Sequence, residues 1–353
     1  MRDIQFTLKD LEHPLDTATA KALSTFWIEE EAPVDDIDTR LKEARLLALV
    51  DGKIAGVATA YLTTPKALGC PVYAVRTFVG KAFRRSRGAH LLTKAFVEKA
   101  EELFNTSADI SALGVMASVE VAHIPSGDPV ACRWGYPHED GTPHVEFNLY
   151  KLTRDGRPQY VHFFEHASLF ADGPVVESTI DRVDGADDSL RLTFALGTLS
   201  ESDAQQVLGL WLGNGVMETR EAALQRLPQV AALAWKGDRI VGVASIFEVP
   251  HEPVNAKFFG FRSFISPEAR GGSTATRLLN LVFDNLEQKL EAGAISADFH
   301  GVAYVLQNER LNKQVHKPMG PNLRSVFIGY LNDMQLRVKY FKSAKISTKS
   351  NQH

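Results

Sequence analysis

The sequence predicts an α/β protein made of two tandem units, each built on a mixed sheet. The first observation is a repeat: Ile54-Ala55-Gly56-Val57-Ala58-Thr59 and Ile240-Val241-Gly242-Val243-Ala244-Ser245 read almost alike, with Gly56 and Gly242 offset by 186 residues. The second is that the offset persists without a gap. Arg76-Thr77-Phe78-Val79 matches Arg262-Ser263-Phe264-Ile265, Arg84 matches Arg270, Ala89 matches Ala275, and Leu92 matches Leu278. One register held over several elements is the mark of a duplication. The third is that each copy alternates strand-like apolar runs with amphipathic stretches of helical period.

In the first copy Ile4 to Leu8 reads as a strand, Asp16 to Glu31 as a helix, and Asp36 to Glu43 as a second helical stretch. Arg45 to Val50 and Lys53 to Leu62 form a hairpin through Asp51-Gly52, a favoured two-residue turn. The strand Val72 to Val79 leads into a helix with Leu91, Leu92, Ala95, Phe96, Leu103 and Phe104 on one face. Strands near Ile110 to Ala122 and Val145 to Leu152 follow. The second copy repeats the order: strand Leu190 to Ala195, helices from Ser202 and Arg220, and a hairpin from Ala231 to Phe247 through Lys236-Gly237-Asp238. Next come strand Lys257 to Ile265 and a helix with Leu278, Leu279, Val282, Phe283, Leu286 and Leu290 on its apolar side. Strands near Ala297 to Leu306 and Ser325 to Phe341 close it. The domains are therefore expected at 1–172 and 190–342, with the acidic, Gly-containing stretch 173–189 as linker and the polar residues 343–353 as a loose tail.

Composition narrows the class. The chain has 353 residues, 44% hydrophobic and 23% charged, enough to bury two cores. A net charge of −4 argues against a protein that coats nucleic acid or an acidic lipid surface. No signal-like or membrane-length apolar run is present, so the cytoplasm is the expected location. Cys70 and Cys132 are too few for a disulfide framework and read as small buried side chains. His138-Glu139-Asp140 with His144 offers metal donors, but the segment between Gly135 and Gly141 reads as a solvated loop, and no metal is expected. P-loop, nucleophile-elbow and dinucleotide-binding signatures are all missing. Trp27 and Trp211 fall on the first helices of the two copies, where packing explains them as well as substrate stacking.

The informative point is the strand-to-helix turn of the second copy, Ile265-Ser266-Pro267-Glu268-Ala269-Arg270-Gly271-Gly272-Ser273-Thr274-Ala275. Small residues there leave backbone N–H groups unscreened at the positive end of a long helix, where a pyrophosphate fits, and Arg270 can add a charge-assisted contact. This turn resembles that of the GNAT-type N-acetyltransferase superfamily, Val/Ile-x-Pro-x-x-Arg/Gln-x-x-Gly-x-Gly/Ala, matching at Ile265, Pro267, Arg270 and Ala275 with Ser273 in place of glycine. The order of elements in both copies is similar too, so the resemblance covers nearly the whole chain as a tandem pair. It implies acetyl-CoA as co-substrate, bound through Ile265, Arg270, Gly271, Gly272, Ser273, Thr274, Ala275 and Asn308. It also implies fourth and fifth strands that splay apart, with the fifth strand's main chain facing the thioester.

The first copy departs from the pattern. Its turn, Val79-Gly80-Lys81-Ala82-Phe83-Arg84-Arg85-Ser86-Arg87-Gly88-Ala89, lacks proline and carries Arg87 where glycine is expected. The register Arg85-x-x-Gly88 restores the glycine but breaks the repeat offset. This copy reads as degenerate, and the second as the acyl-CoA binder.

An amine acceptor must lose a proton and the leaving thiolate must gain one. The resemblance places an acid in an Asn-x-x-Ala-x-x-Leu-Tyr segment, matched in the second copy by Asn308-Glu309-Arg310-Leu311-Asn312-Lys313-Gln314-Val315, with Val315 at the tyrosine position. His316, next to it, and Tyr304 and His300, on the fifth strand, are the candidates there. In the first copy Gly135-Tyr136 resembles the family's Gly-Phe, Ala131 holds the tyrosine position, and Glu120 is the one carboxylate placed to act as base. Arg76 and Arg262, matched on the fourth strands, either bind an acidic substrate or hold a salt bridge. The expected function is acetyl transfer to a small-molecule amine by direct attack in the second copy, with an oligomer left open. The alternative is a non-catalytic GNAT-fold protein that binds CoA or acts as a scaffold.

Overall fold

An aspartate just before an amphipathic run dictates where a helix begins, because its carboxylate accepts N–H groups that the first turn leaves unbonded. The computed structural model of the chain describes residues 4–84, 86–118, 130–137, 143–171, 173–175, 190–270, 273–307, 316–320 and 323–346, without the side chains of 132–137, 143 and 144. In it Asp16 caps α1 (Thr17–Glu29), accepting from Thr19 N at 2.8 Å, and Asp36 caps α2 (Ile37–Glu43) through the N–H groups of Asp38 and Thr39. Before them runs β1 (Thr7–Asp10). β2 (Ala44–Val50) and β3 (Lys53–Thr63) form the expected hairpin, with Asp51 at φ 50° and Gly52 at φ 75°, both in the left-handed region such a turn requires. β4 (Val72–Val79) leads through a 3-10 turn at Lys81–Phe83 into α3 (Gly88–Asn105), and β5 (Gly114–Ser118) follows.

The second unit has β9 (Arg191–Phe194), α4 (Glu201–Gly213), α5 (Arg220–Arg226), β10 (Val230–Lys236), β11 (Arg239–His251) and β12 (Ala256–Ile265). α6 (Thr274–Glu291), β13 (Phe299–Val305), β14 (Val326–Leu331) and β15 (Met334–Tyr340) complete it. β10 and α6 fall at the repeat offset from β2 and α3 at both ends. So do the 3-10 turns, Lys81–Phe83 and Pro267–Ala269, and the hydrogen bonds that enter them, Gly80 N to Ala55 O at 2.9 Å and Ser266 N to Val241 O at 2.8 Å.

After β5 the first unit exceeds its expected pattern. β6 (Ala131–Pro137), β7 (Pro143–Leu152) and β8 (Pro158–Phe163) make a meander where the sequence reads one strand. The first sheet runs β1-β2-β3-β4-β5-β8-β7-β6 and the second β14-β15-β13-β12-β11-β10-β9, so β6 is an additional edge strand. The Gly135-Tyr136 pair sits on that strand. Among the described residues all strand pairings are antiparallel except β4 with β5 and β12 with β13.

Alternation along β3 and β11 puts a core on each face of each sheet. Val57 packs with Leu23, Phe26 and Trp27 of α1, and Val243 with Val207, Leu208 and Trp211 of α4. The neighbouring Gly56 and Gly242 face the other way, where the long helices lie so close that an added Cβ would stand 3.1 Å from Leu92 Cδ1 and 3.7 Å from Leu278 Cδ1. Both tryptophans are thus core residues, 2% and 1% exposed.

The compact units are 1–124 with 131–175, and 125–130 with 176–353. Gly173 to Val175 go with the first unit, where Val175 N bonds His166 O at 2.8 Å; 176–189 lie outside the described residues. Within the stretch expected as a loose tail, Ala344 and Ile346 are buried at 4% and 2% exposure, so 343–346 are packed; 347–353 lie outside the described residues. Cys70 is buried, which pushes its thiol up to about 12, as a packed small side chain requires. The side chain of Cys132 and the His138-Glu139-Asp140 and His144 donors lie outside the described side chains; no metal-holding group of three or more occurs among the described residues.

Candidate functional site

A helix start that a ligand is to use must keep its N–H groups available. α1, α2, α4 and α5 are capped by Asp16, Asp36, Ser200 and Thr219. α3 and α6 alike have no capping bond from their N-cap residues, Arg87 and Ser273, and no acid in their first turns. In α6 Thr274 is buried, and Ala275 is exposed in the first turn. Arg270 reaches back across the turn, its Nε donating to Ile265 O at 3.0 Å and its guanidinium 5.7 Å from the Phe264 ring. Gly271, Gly272 and Asn308 lie outside the described residues.

The matching start in the first unit is closed from within. Ser86 Oγ accepts from Gly88 N at 3.1 Å, and the Phe6 ring lies 3.1 Å from where a Cβ on Gly88 would stand. Glu30 accepts from Lys81 N at 2.6 Å, and Lys81 Nζ pairs with Glu31 at 2.8 Å. At the position of Lys81 the second unit has Pro267, which has no N–H to occupy. Two carboxylates thus stand beside this turn.

Each unit's single parallel pairing breaks off early. β12 and β13 are paired through Gly260 and Ala303, while β12 runs on to Ile265 and β13 to Val305. β4 and β5 are paired through Val75 and Ala117, while β4 runs on to Val79. The paired strands part there, leaving a gap between the ends of β12 and β13 beyond Gly260 and Ala303.

The residues read as proton carriers are placed unevenly. His300 is fully buried, its Nδ1 2.9 Å from Asp298 O and its ring beside Phe258; burial lowers its pKa from 6.5. Tyr304, at the split end of β13, shares a hydrogen with Ser325 Oγ at 2.5 Å, and burial raises its pKa from 10.0. Its cross-strand partner Arg337 is 0% exposed and donates to Gln335 Oε1 at 2.7 Å and to Lys317 O at 2.6 Å. Arg337 therefore ties the backbone that follows His316, itself half-buried, to the end of β13. Glu120 lies outside the described residues. His300 has the setting of a packing residue, whereas Tyr304 and the segment beginning at His316 come together.

Sequence reasoning missed Glu43, Arg40 and Arg226. Arg76 Nη1 meets Glu43 Oε2 at 3.0 Å and Arg40 Nε meets the same oxygen at 3.6 Å, on a cleft of about 30 Å³, water-sized, lined by Trp27, Val34, Thr59 and Phe78. Arg76 is thus a salt-bridge residue. Arg226 stands at the repeat offset from Arg40, a signal present in the sequence.

The strand order, the one parallel pairing that splits, and the long helix entered from the fourth strand make each unit a GNAT-like α/β fold. Comparison with protein-family models and with curated proteins finds no match. Among solved structures, the chain is similar to the ribosomal-protein-S18-alanine N-acetyltransferase of Escherichia coli, at 12% identity over 45% of this chain and 93% of that one, TM-score 0.27. It is similar to the ribosomal-protein-S5-alanine acetyltransferase of Vibrio fischeri, at 13% identity over 45% and 96%, TM-score 0.31. A GNAT-family acetyltransferase from Streptococcus pneumoniae is also similar, at 15% identity over 43% and 99%, TM-score 0.27.

Proposed function

We propose that the chain is an N-acetyltransferase that moves the acetyl group of acetyl-CoA to an amine of a small-molecule acceptor, with the second unit as the working copy. The observation that carries the reading is the start of α6, where a long helix enters beside a split strand pair with neither a capping side chain nor an acid in its first turn. Ile265, Arg270, Ser273, Thr274 and Ala275, with Gly271 and Gly272 between them and Asn308 beyond, would hold the co-substrate. No group holding metal is invoked.

In the transfer the amine nitrogen bonds to the thioester carbonyl carbon and the carbon–sulfur bond breaks. The amine gives up a proton, and the sulfur leaves as a thiolate that takes one. The edge of β13 left unpaired beyond Ala303 supplies main-chain donors to the carbonyl oxygen, and His316 or a water carries the protons. Tyr304, held protonated by burial, is the second donor available there. Val315, where the resemblance calls for tyrosine, favours the other reading, a CoA-binding protein without turnover.

Calorimetric titration of acetyl-CoA into the full chain, with CoA release followed over a panel of amines, separates them. Saturation near one site per chain with steady release supports the transferase. Saturation without release supports the binder, and no binding overturns both.

A further inference from the structure

The arginines on the fourth strands point to the acceptor, an inference that rests on the reading just given. In the first unit two guanidinium groups converge on one carboxylate, that of Glu43, and Arg40 Nη1 reaches Thr59 Oγ1 at 3.5 Å while Arg76 covers the Tyr61 ring at 4.3 Å. The second unit keeps the arrangement at the repeat offset. Arg226 donates to Ser245 Oγ from Nε at 3.2 Å and from Nη2 at 3.0 Å, and Arg262 covers the Phe247 ring at 4.0 Å. Arg226 also lies over Trp211 at 5.3 Å. The one polar position that changes its charge is the centre: Glu43 is replaced by Gln229.

No carboxylate among the described residues pairs with Arg226 or Arg262. Arg262 is the cross-strand partner of Ser245, the residue to which Arg226 donates, so two like charges stand close together with Arg226 half-buried; burial, and then the charge of Arg262, lower the pKa of Arg226. A partly desolvated cation without its counter-charge is costly. An identical pair elsewhere in the chain is neutralised by a carboxylate, so the geometry fits that group.

We infer that Arg226 and Arg262 grip the carboxylate of an acceptor that bears both an amine and a carboxylate, the ligand's carboxylate occupying the place that Glu43 fills in the first unit. The location agrees with the chemistry. Arg262 is two residues past Gly260, the last residue of β12 paired with β13, and so stands where the two strands part. Planar guanidinium groups meet a carboxylate in two-point contacts, and fixing that end of the acceptor orients its amine.

The test uses the full chain without acetyl-CoA, so that it does not depend on transfer. L-phenylalanine, L-leucine and L-lysine are titrated beside 2-phenylethylamine, isoamylamine and cadaverine, which lack only the carboxylate, and beside inorganic phosphate. The expected result is binding by at least one amino acid and none by its amine. Arg262→Gln, at an exposed position, and Gln229→Glu, which supplies the carboxylate internally, should each weaken that binding about ten- to a hundredfold. Gln229→Glu should also raise the thermal midpoint, a gain that a misfolded variant cannot show. Equal binding of acids and amines, binding of phosphate alone, no response to any amino acid, or a response unchanged in both variants overturns the inference. Acetyl transfer that persists without carboxylate preference would leave the transferase standing and this inference refuted. Carboxylate binding without transfer would do the reverse.

Discussion

Ala275→Glu isolates the helix start from the rest of the fold. Ala275 is exposed in the first turn of α6, so a longer side chain meets no core. A carboxylate there is favourable to the helix dipole by about 0.3–1 kcal/mol, which offsets the few tenths by which glutamate is a poorer helix former than alanine. The variant should therefore melt within a degree or two of the unmodified chain. Binding should respond in the opposite sense. A charge-assisted hydrogen bond is worth about 1.5–3 kcal/mol, and two unit charges about 4 Å apart near a protein surface repel by up to about 4 kcal/mol. A loss of at least about 3 kcal/mol corresponds to more than a hundredfold in Kd, read by calorimetric titration of acetyl-CoA. Ala275→Gln, with the same bulk and no charge, should lose much less. Ala89→Glu, the matching change in the first unit, should change nothing, because that start is already closed by Ser86 and Phe6. Undiminished binding by Ala275→Glu, or loss of binding by Ala89→Glu, would refute the assignment.

Three further outcomes follow from packing and charge. Glu43→Gln strands Arg76 and Arg40 in a half-buried site, between the exposed and buried limits for broken ion pairs, and should cost about 1–2 kcal/mol in urea unfolding. Gly56→Ala should destabilise more than Gly242→Ala within an overpacking range of about 1–3 kcal/mol. The added Cβ meets the Phe78 carbonyl oxygen at 2.9 Å in the first case and the end of a flexible side chain, Ile265 Cδ1 at 2.8 Å, in the second. His251 and His300 have pKa values lowered by burial from 6.5, so below that pH the unfolded chain takes up protons that the native unit refuses. Stability present above pH 6.5 should fall as the pH drops through and below it, and His251→Phe should flatten the midpoint's dependence on pH.

Where an element is set by local chemistry it was legible in advance. Asp16 and Asp36 before apolar runs mark helix starts, Asp51-Gly52 marks a hairpin, and the repeat offset carries β2 onto β10 and α3 onto α6. β8 was hidden because Pro158–Phe163 is short and its counterpart in the second sheet, β15, does not fall at the repeat offset, so the duplication could not vouch for it. The contacts that distinguish the two sites were hidden for another reason. Glu30 meets Lys81 across 51 positions and Glu43 meets Arg76 across 33, so no local window holds both partners. The repeat did show that Arg76 and Arg262 match; it could not show which of them has an acid beside it until the fold brought α2 against β4.

The differences between the copies all run in one direction, and that bears on function more than any single residue. At the strand-to-helix turn the first unit bonds its Lys81 N–H to Glu30, at the helix start it places Ser86 and Phe6, and between its arginines it places Glu43. In the second unit the same three points carry Pro267, a start with no capping side chain among the described residues, and Gln229. Random decay of a duplicated site would leave voids and unpaired groups in the decaying copy. Here the copy that departs from the expected motif closes these three points with its own side chains, while the copy that keeps the motif leaves the helix start open and its pair of cations without a carboxylate among the described residues. Unsatisfied charge lowers stability and is retained where a ligand supplies the missing partner. Both open points of the second unit call for an anion, one for phosphate at the start of α6 and one for a carboxylate between Arg226 and Arg262.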